Sequence, residues 1–349
     1  MPSVEVNGGR INYIQINGES GNSCQDLVMI HGLATNLAFW YWPHAIEFSK
    51  RYRVTLYDLR GHGRSSFSNF GYTPGNLSRD LQALLDALNI DRAHFIAHSF
   101  GGVVALNLAI FDPSRFASLV LADTHISSVR RLPEAKDWVF GKKIQRILNQ
   151  YGLNVDATKP YFGYQLLSAI AHLKRQNIQV SQELENLVFP VIGKYSKRTA
   201  FQWLKLMNTT QAKKELMSDD GLPLESLRKL KFPILAIYGE YSQAMSTGQQ
   251  LLNVWPQADF RRIRGAGHFF PVMRALEFME NCRQFWNGAL INGLSRREGD
   301  SGKKYFRSDR FYSQEGKWFF DTRESTQEGP FDSLEEAKVF LSSRIPQYA

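Results

Sequence analysis

The chain runs to 349 residues, 43% of them apolar and 21% charged, with a formal net charge of +9. That length suffices for one large domain and an appendage, and the composition is that of an ordinary soluble globular protein. The N-terminal stretch lacks the basic and apolar blocks of a signal peptide. No apolar run reaches the roughly 18 to 20 residues of a membrane span, and Cys24 and Cys282 match neither a disulfide framework nor a metal-ligand spacing. The sequence predicts a cytoplasmic protein.

In chain order, "VEVNGGRINYIQI" alternates around Asn7-Gly8-Gly9 and reads as an opening β-hairpin. "DLVMIHG" (26–32) and "YRVTLYDLRGHG" (52–63) are short apolar runs that end in Gly-rich turns, as strands buried on both faces do. Between them, "NLAFWYWPHAIEFSK" suits a helix. Leu77, Leu81, Leu84, Leu85 and Leu88 recur at helical spacing over 75–90. "AHFIAHS" is the next strand and "GGVVALNLAIF" the helix after it. "FASLVLADT" (116–124), "FPILAIYGE" (232–240) and "ADFRRIRGAGH" (258–268) add three more strands, and "PVMRALEFMENCRQFW" a closing amphipathic helix. Strands alternating with helices predict a doubly wound, mostly parallel α/β sheet.

Residues 125–231 break this rhythm with helical patterns and no clear strand. We read 1–124 and 232–290 as the core and 125–231 as an inserted helical cap, lying over the sheet edge where ligands bind. The whole positive excess falls on 125–232, where 18 Lys and Arg stand against 9 Asp and Glu. After a Gly/Ser/charge-rich linker at 291–302, residues 303–349 form a small α+β module. It reads as ββα, with a capping box at Ser333 and Glu336.

The stretch "AHFIAHSFGGVVALNLAIF" carries the chemistry. A serine between strand and helix projects its hydroxyl above the sheet only on a very sharp turn. Residues two before and two after it must then be small, because the two backbones nearly touch. Ala97 and Gly101 occupy those places around Ser99, and Gly102 follows. The usual pattern is Gly-x-Ser-x-Gly, from which Ala97 departs by one methyl.

With "HGLATN" (31–36), "DLRGHGRS" (58–65) and "GAGHFF" (265–270) in the same order, roughly residues 3–290 resemble the α/β-hydrolase fold family, in its branch with a helical cap. The resemblance implies a nucleophile at Ser99 and a general base at His268. It also implies an oxyanion hole from the backbone N–H groups of Leu33 and Phe100. His31, His62 and His98 are read as turn-shaping residues. Many relatives place the acid in a Gly-x-x-Asp after the strand that ends here in Gly239-Glu240-Tyr241-Ser242, so the expected aspartate is Ser242. Asp123, at the end of the preceding strand, is the preferred acid, and Glu240 is the alternative.

Phe39, Trp40 and Phe269 flank the two catalytic loops and predict an apolar, acyl-sized pocket. The expected function is hydrolysis of a carboxylic ester or thioester through an acyl-enzyme, with no cofactor and no metal. If no carboxylate reaches His268, the chain is instead a weak enzyme or a binding protein on the same scaffold. Cofactor-free C–C hydrolysis or perhydrolysis by the same triad stays open. The basic cap has three readings: a solvated helical face, attraction for a coenzyme A or acyl carrier protein thioester, or contact with an anionic membrane surface. Nucleic acid is not expected, since the charge lies on the segment that gates the pocket. The aromatic C-terminal module resembles GYF-like modules and a small family of bacterial C-terminal domains; its aromatics read first as a tiny core, with a protein contact as the alternative.

Overall fold

The computed structural model describes residues 2–6, 8–17, 24–129, 138–159, 161–181, 183–184, 197–292, 311–314, 317–321, 327–332 and 336. Eight strands form one sheet in the order β1-β2-β4-β3-β5-β6-β7-β8: β1 (Ser3–Val6), β2 (Gly9–Ile16), β3 (Gln25–Ile30), β4 (Tyr52–Tyr57), β5 (Ala93–His98), β6 (Phe116–Ala122), β7 (Ile234–Gly239) and β8 (Asp259–Ile263). The opening hairpin pairs antiparallel, and β2 pairs antiparallel with β4; every later pairing is parallel.

β3 shows why the parallel strands read as unbroken apolar runs. Leu27, Val28, Met29 and Ile30 are all fully buried, with Val28 and Ile30 in the cluster on one face and Leu27 and Met29 in the cluster on the other. The helices Pro74–Ala87, Phe100–Phe111 and Met245–Val254 contribute to the first face, and residues 38–48 with Ala275–Asn292 to the second. Thr73 caps the first of these helices by accepting the Asn76 N–H at 3.2 Å, with Pro74 in the first turn.

The helix expected over 36–50 is broken. Only Ala38–Trp40 and Ile46–Phe48 are α-helical, and Trp42 between them is extended at φ −124°, ψ 129°. A residue before proline is pushed out of the helical region, and Pro43 follows it.

Between Ala122 and Ile234 the described residues hold helices and no strand: Val139–Gln150, Phe162–Arg175, Lys197–Thr209, Ala212–Leu216 and Leu224–Arg228. This segment has a core of its own around Ile144, Leu148, Phe162, Ile170 and Leu173. It is tied down along one side. Gln202 Nε2 donates to the Gly63 carbonyl (2.7 Å), the Gln211 N–H donates to the Asn69 carbonyl (2.8 Å), and Glu215 accepts the N–H groups of Gly71 (2.9 Å) and Tyr72 (2.6 Å). Among the described residues no helix is long and apolar enough to cross a membrane.

The chain divides into two units, Met1–Ile291 and Asn292–Ala349. In the second, β9 (Phe311–Gln314), β10 (Lys317–Asp321) and β11 (Gln327–Phe331) form an antiparallel sheet in the order β11-β10-β9. The expected ββα pattern thus gains a third strand, because "GPF" pairs back onto β10, Phe331 opposite Trp318. Glu336 accepts the Asp332 N–H at 2.8 Å. Ser333 of the expected capping box lies outside the described residues.

Candidate active site

Ser99 stands on the bend between β5 and the helix Phe100–Phe111 at φ 55°, ψ −124°, a backbone conformation that costs on the order of 1–3 kcal/mol. Its surroundings hold it there. A Cβ on Gly101 would lie 2.6 Å from the His31 carbonyl oxygen and 2.8 Å from that of Ile30, and one on Gly102 would lie 2.0 Å from Thr124 Oγ1. Two glycines therefore let the first turn of the helix press against β3 and the end of β6. Ala97, with its one methyl, is fully buried without disturbing the pairing of β5 with either neighbour.

His268 arrives from the loop after β8. That loop crosses β7 at Gly239, where a Cβ would sit 2.6 Å from the Gly267 carbonyl oxygen, and the Tyr241 N–H donates to the Ala266 carbonyl at 2.9 Å. His268 Nε2 lies 3.0 Å from Ser99 Oγ, and its Nδ1 lies 2.6 Å from Asp123 Oδ2. With the carboxylate on Nδ1, that nitrogen carries the proton and Nε2 accepts from the serine hydroxyl. Asp123 ends β6 at φ 55° and is fully buried, and its Oδ1 takes the Gly239 N–H at 2.8 Å. The His268 side chain is 31% exposed, so the chain of three opens to solvent at the imidazole.

Glu240 is not in this chain. Its carboxylate accepts the Gly265 N–H at 2.8 Å and faces Arg262 at 3.9 Å, which braces the histidine loop from outside. One residue past Gly239, its side chain points toward β8 and does not reach His268 as the alternative acid was expected to. Ser242, which the sequence offers only as a missing aspartate, donates its hydroxyl to Asp123 Oδ2.

The loop after β3 is shaped by neutral histidines. His31 Nδ1 donates to the Gly32 carbonyl (2.7 Å) while its Nε2 accepts the Leu59 N–H (3.1 Å); His62 Nδ1 donates to the Arg60 carbonyl (3.0 Å) and Nε2 accepts the Ala34 N–H (3.3 Å). Burial pushes both imidazoles down to about 4, so each keeps one N–H and one lone pair. Asp58 holds the loop's far end, accepting the N–H groups of Leu37 and Arg64, each at 2.8 Å. Among the described residues the N–H groups of Leu33 and Phe100 donate to no partner; Leu33 follows Gly32, whose would-be Cβ lies 3.0 Å from Ser99 Cβ, and Phe100 adjoins Ser99 in the chain.

His98 is the residue whose part the sequence understated. Its Nε2 donates to the His268 carbonyl at 2.9 Å, and burial holds its imidazole well below the ordinary value, hence neutral. Phe39, 1% exposed, stacks on His98 at 4.7 Å, and Trp40 is fully buried against Phe278. Both rings, expected beside a pocket, pack beneath the loop. Large rings packed under the loop gain more from core contact than from a half-wet wall.

Phe269 does stand beside the site, edge-on to His268 at 5.0 Å. The helix Val139–Gln150 supplies Phe140, whose ring lies against Gly267 and stacks on Tyr241 at 5.7 Å, while Trp138 Nε1 donates to the Tyr241 carbonyl at 3.0 Å. Nothing in the local pattern around Phe140 marks it as the residue that faces the histidine loop.

A serine hydroxyl, an imidazole and a buried carboxylate in one hydrogen-bonded line, with two open N–H donors, form an arrangement suited to acyl transfer. A family model for the alpha/beta hydrolase fold matches residues 27–273, and one for a domain of unknown function (DUF6316) matches 296–346. The chain belongs to the alpha/beta hydrolase fold family. It is similar to 3-oxoadipate enol-lactonase 1 of Acinetobacter baylyi, 38% identical over 116 residues, which span 33% of this chain and 42% of the relative. The match therefore takes in less than half of that relative's length. Among solved structures, the esterase RhEst1 from Rhodococcus sp. ECU1013 superposes with a TM-score of 0.58 at 22% identity, covering 81% of this chain and 96% of the esterase. The enol-lactonase from Burkholderia xenovorans LB400 gives 0.53 at 22% identity, covering 82% and 100%. At such identities the likeness speaks to the fold.

Proposed function

We propose that the chain is a serine hydrolase that cleaves an open or cyclic carboxylic ester, or a thioester, with an apolar acyl group. The observation that carries this reading is the unbroken line Ser99–His268–Asp123, with 3.0 Å and 2.6 Å between its reacting heteroatoms. In the first step His268 Nε2 takes the Ser99 proton as Oγ adds to the carbonyl carbon. The resulting oxyanion accepts from the Leu33 and Phe100 N–H groups, each donor contributing about 3 kcal/mol. Asp123 stabilises the imidazolium, which then protonates the leaving alcohol or thiol. Water, activated by the same imidazole, releases the acid and restores Ser99. Relatives named as enol-lactonase and esterase support ester chemistry.

Phe269 and Phe140 supply apolar surface beside the reacting atoms. The exposed Lys142 and Arg146, on the helix that begins beside Phe140, favour an anionic leaving group such as a coenzyme A or carrier-protein thiol. A hydrogen-bonded Asp123 supports an active enzyme over a binding protein.

A fluorophosphonate probe and a panel of p-nitrophenyl esters and acyl thioesters of rising chain length test the proposal. Ser99 is expected to label, and Ser99→Ala to lower turnover by about 10⁴ or more. Folded protein that neither labels at Ser99 nor turns over any member of the panel would refute it.

A further inference from the structure

Asp123 Oδ2, the oxygen that receives the His268 Nδ1–H, also receives the Ser242 hydroxyl. Ser242 is buried and pinned. Its N–H donates to the Gly239 carbonyl at 3.1 Å, and its Oγ accepts the Ala244 N–H at 3.1 Å. Because Oγ already accepts from Ala244, the hydroxyl hydrogen is directed to the carboxylate. Ala244 precedes the ten-residue helix Met245–Val254, whose N-terminal partial positive charge lies behind that hydroxyl. The hydrogen-bonded line therefore does not end at Asp123. It continues through Ser242 to a helix N-terminus.

We infer that Ser242 is a positioning residue: it holds the Asp123 carboxylate and draws charge away from the oxygen that faces His268. This rests on the serine-hydrolase reading above and extends it to a fourth side chain. A donor on the shared oxygen stabilises the ionised carboxylate and weakens its pull on the imidazole proton. The carboxylate is thereby shared between two donors, the Ser242 hydroxyl and the His268 Nδ1–H.

The other ionisable groups around the pair are already committed. His98, from β5, is neutral and donates to the His268 carbonyl. From β7, the Tyr238 hydroxyl donates to the Thr124 carbonyl at 2.8 Å and is kept protonated by burial. Glu240 is engaged with the Gly265 N–H and faces Arg262. Among the described residues, Ser242 and His268 are the two side chains hydrogen-bonded to Asp123 Oδ2.

The test is made on the full chain. The low-field Nδ1 proton resonance of His268 is titrated without substrate, and the acid limb of kcat/KM is measured in parallel. Ser242→Ala is expected to raise the midpoint by about half to one pH unit, roughly a three- to tenfold gain in proton affinity. Ser242→Cys, which keeps the volume but is a weak donor, is expected to move it the same way, and it carries the test if Ser242→Ala does not fold. Ser242→Thr, which keeps the hydroxyl, is expected to hold the wild-type midpoint. A midpoint unchanged in both Ser242→Ala and Ser242→Cys overturns the inference. The resonance needs no turnover, so this result stands apart from Ser99 labelling: a protein that fails to label sinks the hydrolase reading while the midpoint still reports on Ser242.

Discussion

Asp123 and Glu240 end neighbouring parallel strands and differ in what their carboxylates meet. Asp123 faces an imidazole, a backbone N–H and a hydroxyl inside the protein; Glu240 faces a loop N–H at the surface. Asp123→Asn keeps the volume but presents an amide N–H to the imidazole, which favours the wrong tautomer. The expected loss in kcat is about 10⁴. Glu240→Gln keeps a carbonyl for the Gly265 N–H, and its kcat is expected to stay within about twofold of wild type. Steady-state kinetics on the best p-nitrophenyl ester separates them, and a large loss in Glu240→Gln alone would reverse the assignment.

At the scale of the element, the elbow depends on contacts that cannot yield. A Cβ on Gly101 meets two backbone oxygens of residues 30 and 31, so the helix and β3 must part to admit it. Gly101→Ala is expected to cost about 2–4 kcal/mol in urea unfolding and to abolish fluorophosphonate labelling of Ser99. Gly163, in the first turn of the helix Phe162–Arg175, has nothing within 4 Å of its would-be Cβ. Gly163→Ala is therefore expected to be neutral or to stabilise by up to about 1 kcal/mol. Equal stability of the two variants would show that the close approach at Gly101 is not what shapes the turn.

For the whole molecule, packing sets the acid limit of stability. Burial holds His31, His44, His62 and His94 at about 4, below the ordinary 6.5. The unfolded chain therefore binds more protons between those values. The stability is fully present above pH 6.5 and is lost as pH falls toward 4, at about 1.4 kcal/mol per pH unit for each group. Burial raises Asp58 and Asp80, whose contribution runs in the opposite sense. Urea midpoints are expected to fall steadily from pH 7 to pH 5, and His44→Gln to flatten the slope. A midpoint constant over that range would mean that the imidazoles take up protons in the folded state.

The alternation of strand and helix, the elbow at Ser99 and the loop that carries His268 were legible because each is a local requirement. Small residues at fixed spacing, and apolar runs of fixed length, are written within a few positions of the residue they serve. The tertiary structure alone decided which carboxylate completes the line, since that depends on the register of β6 against β7 and on the direction of each strand end. It also decided that Phe39 and Trp40 turn inward and that Phe140 comes against the loop of His268 from the segment between β6 and β7. It alone gave Ser242 a partner. Those outcomes join residues far apart in the chain, and a linear pattern states which groups are present without stating which of them meet.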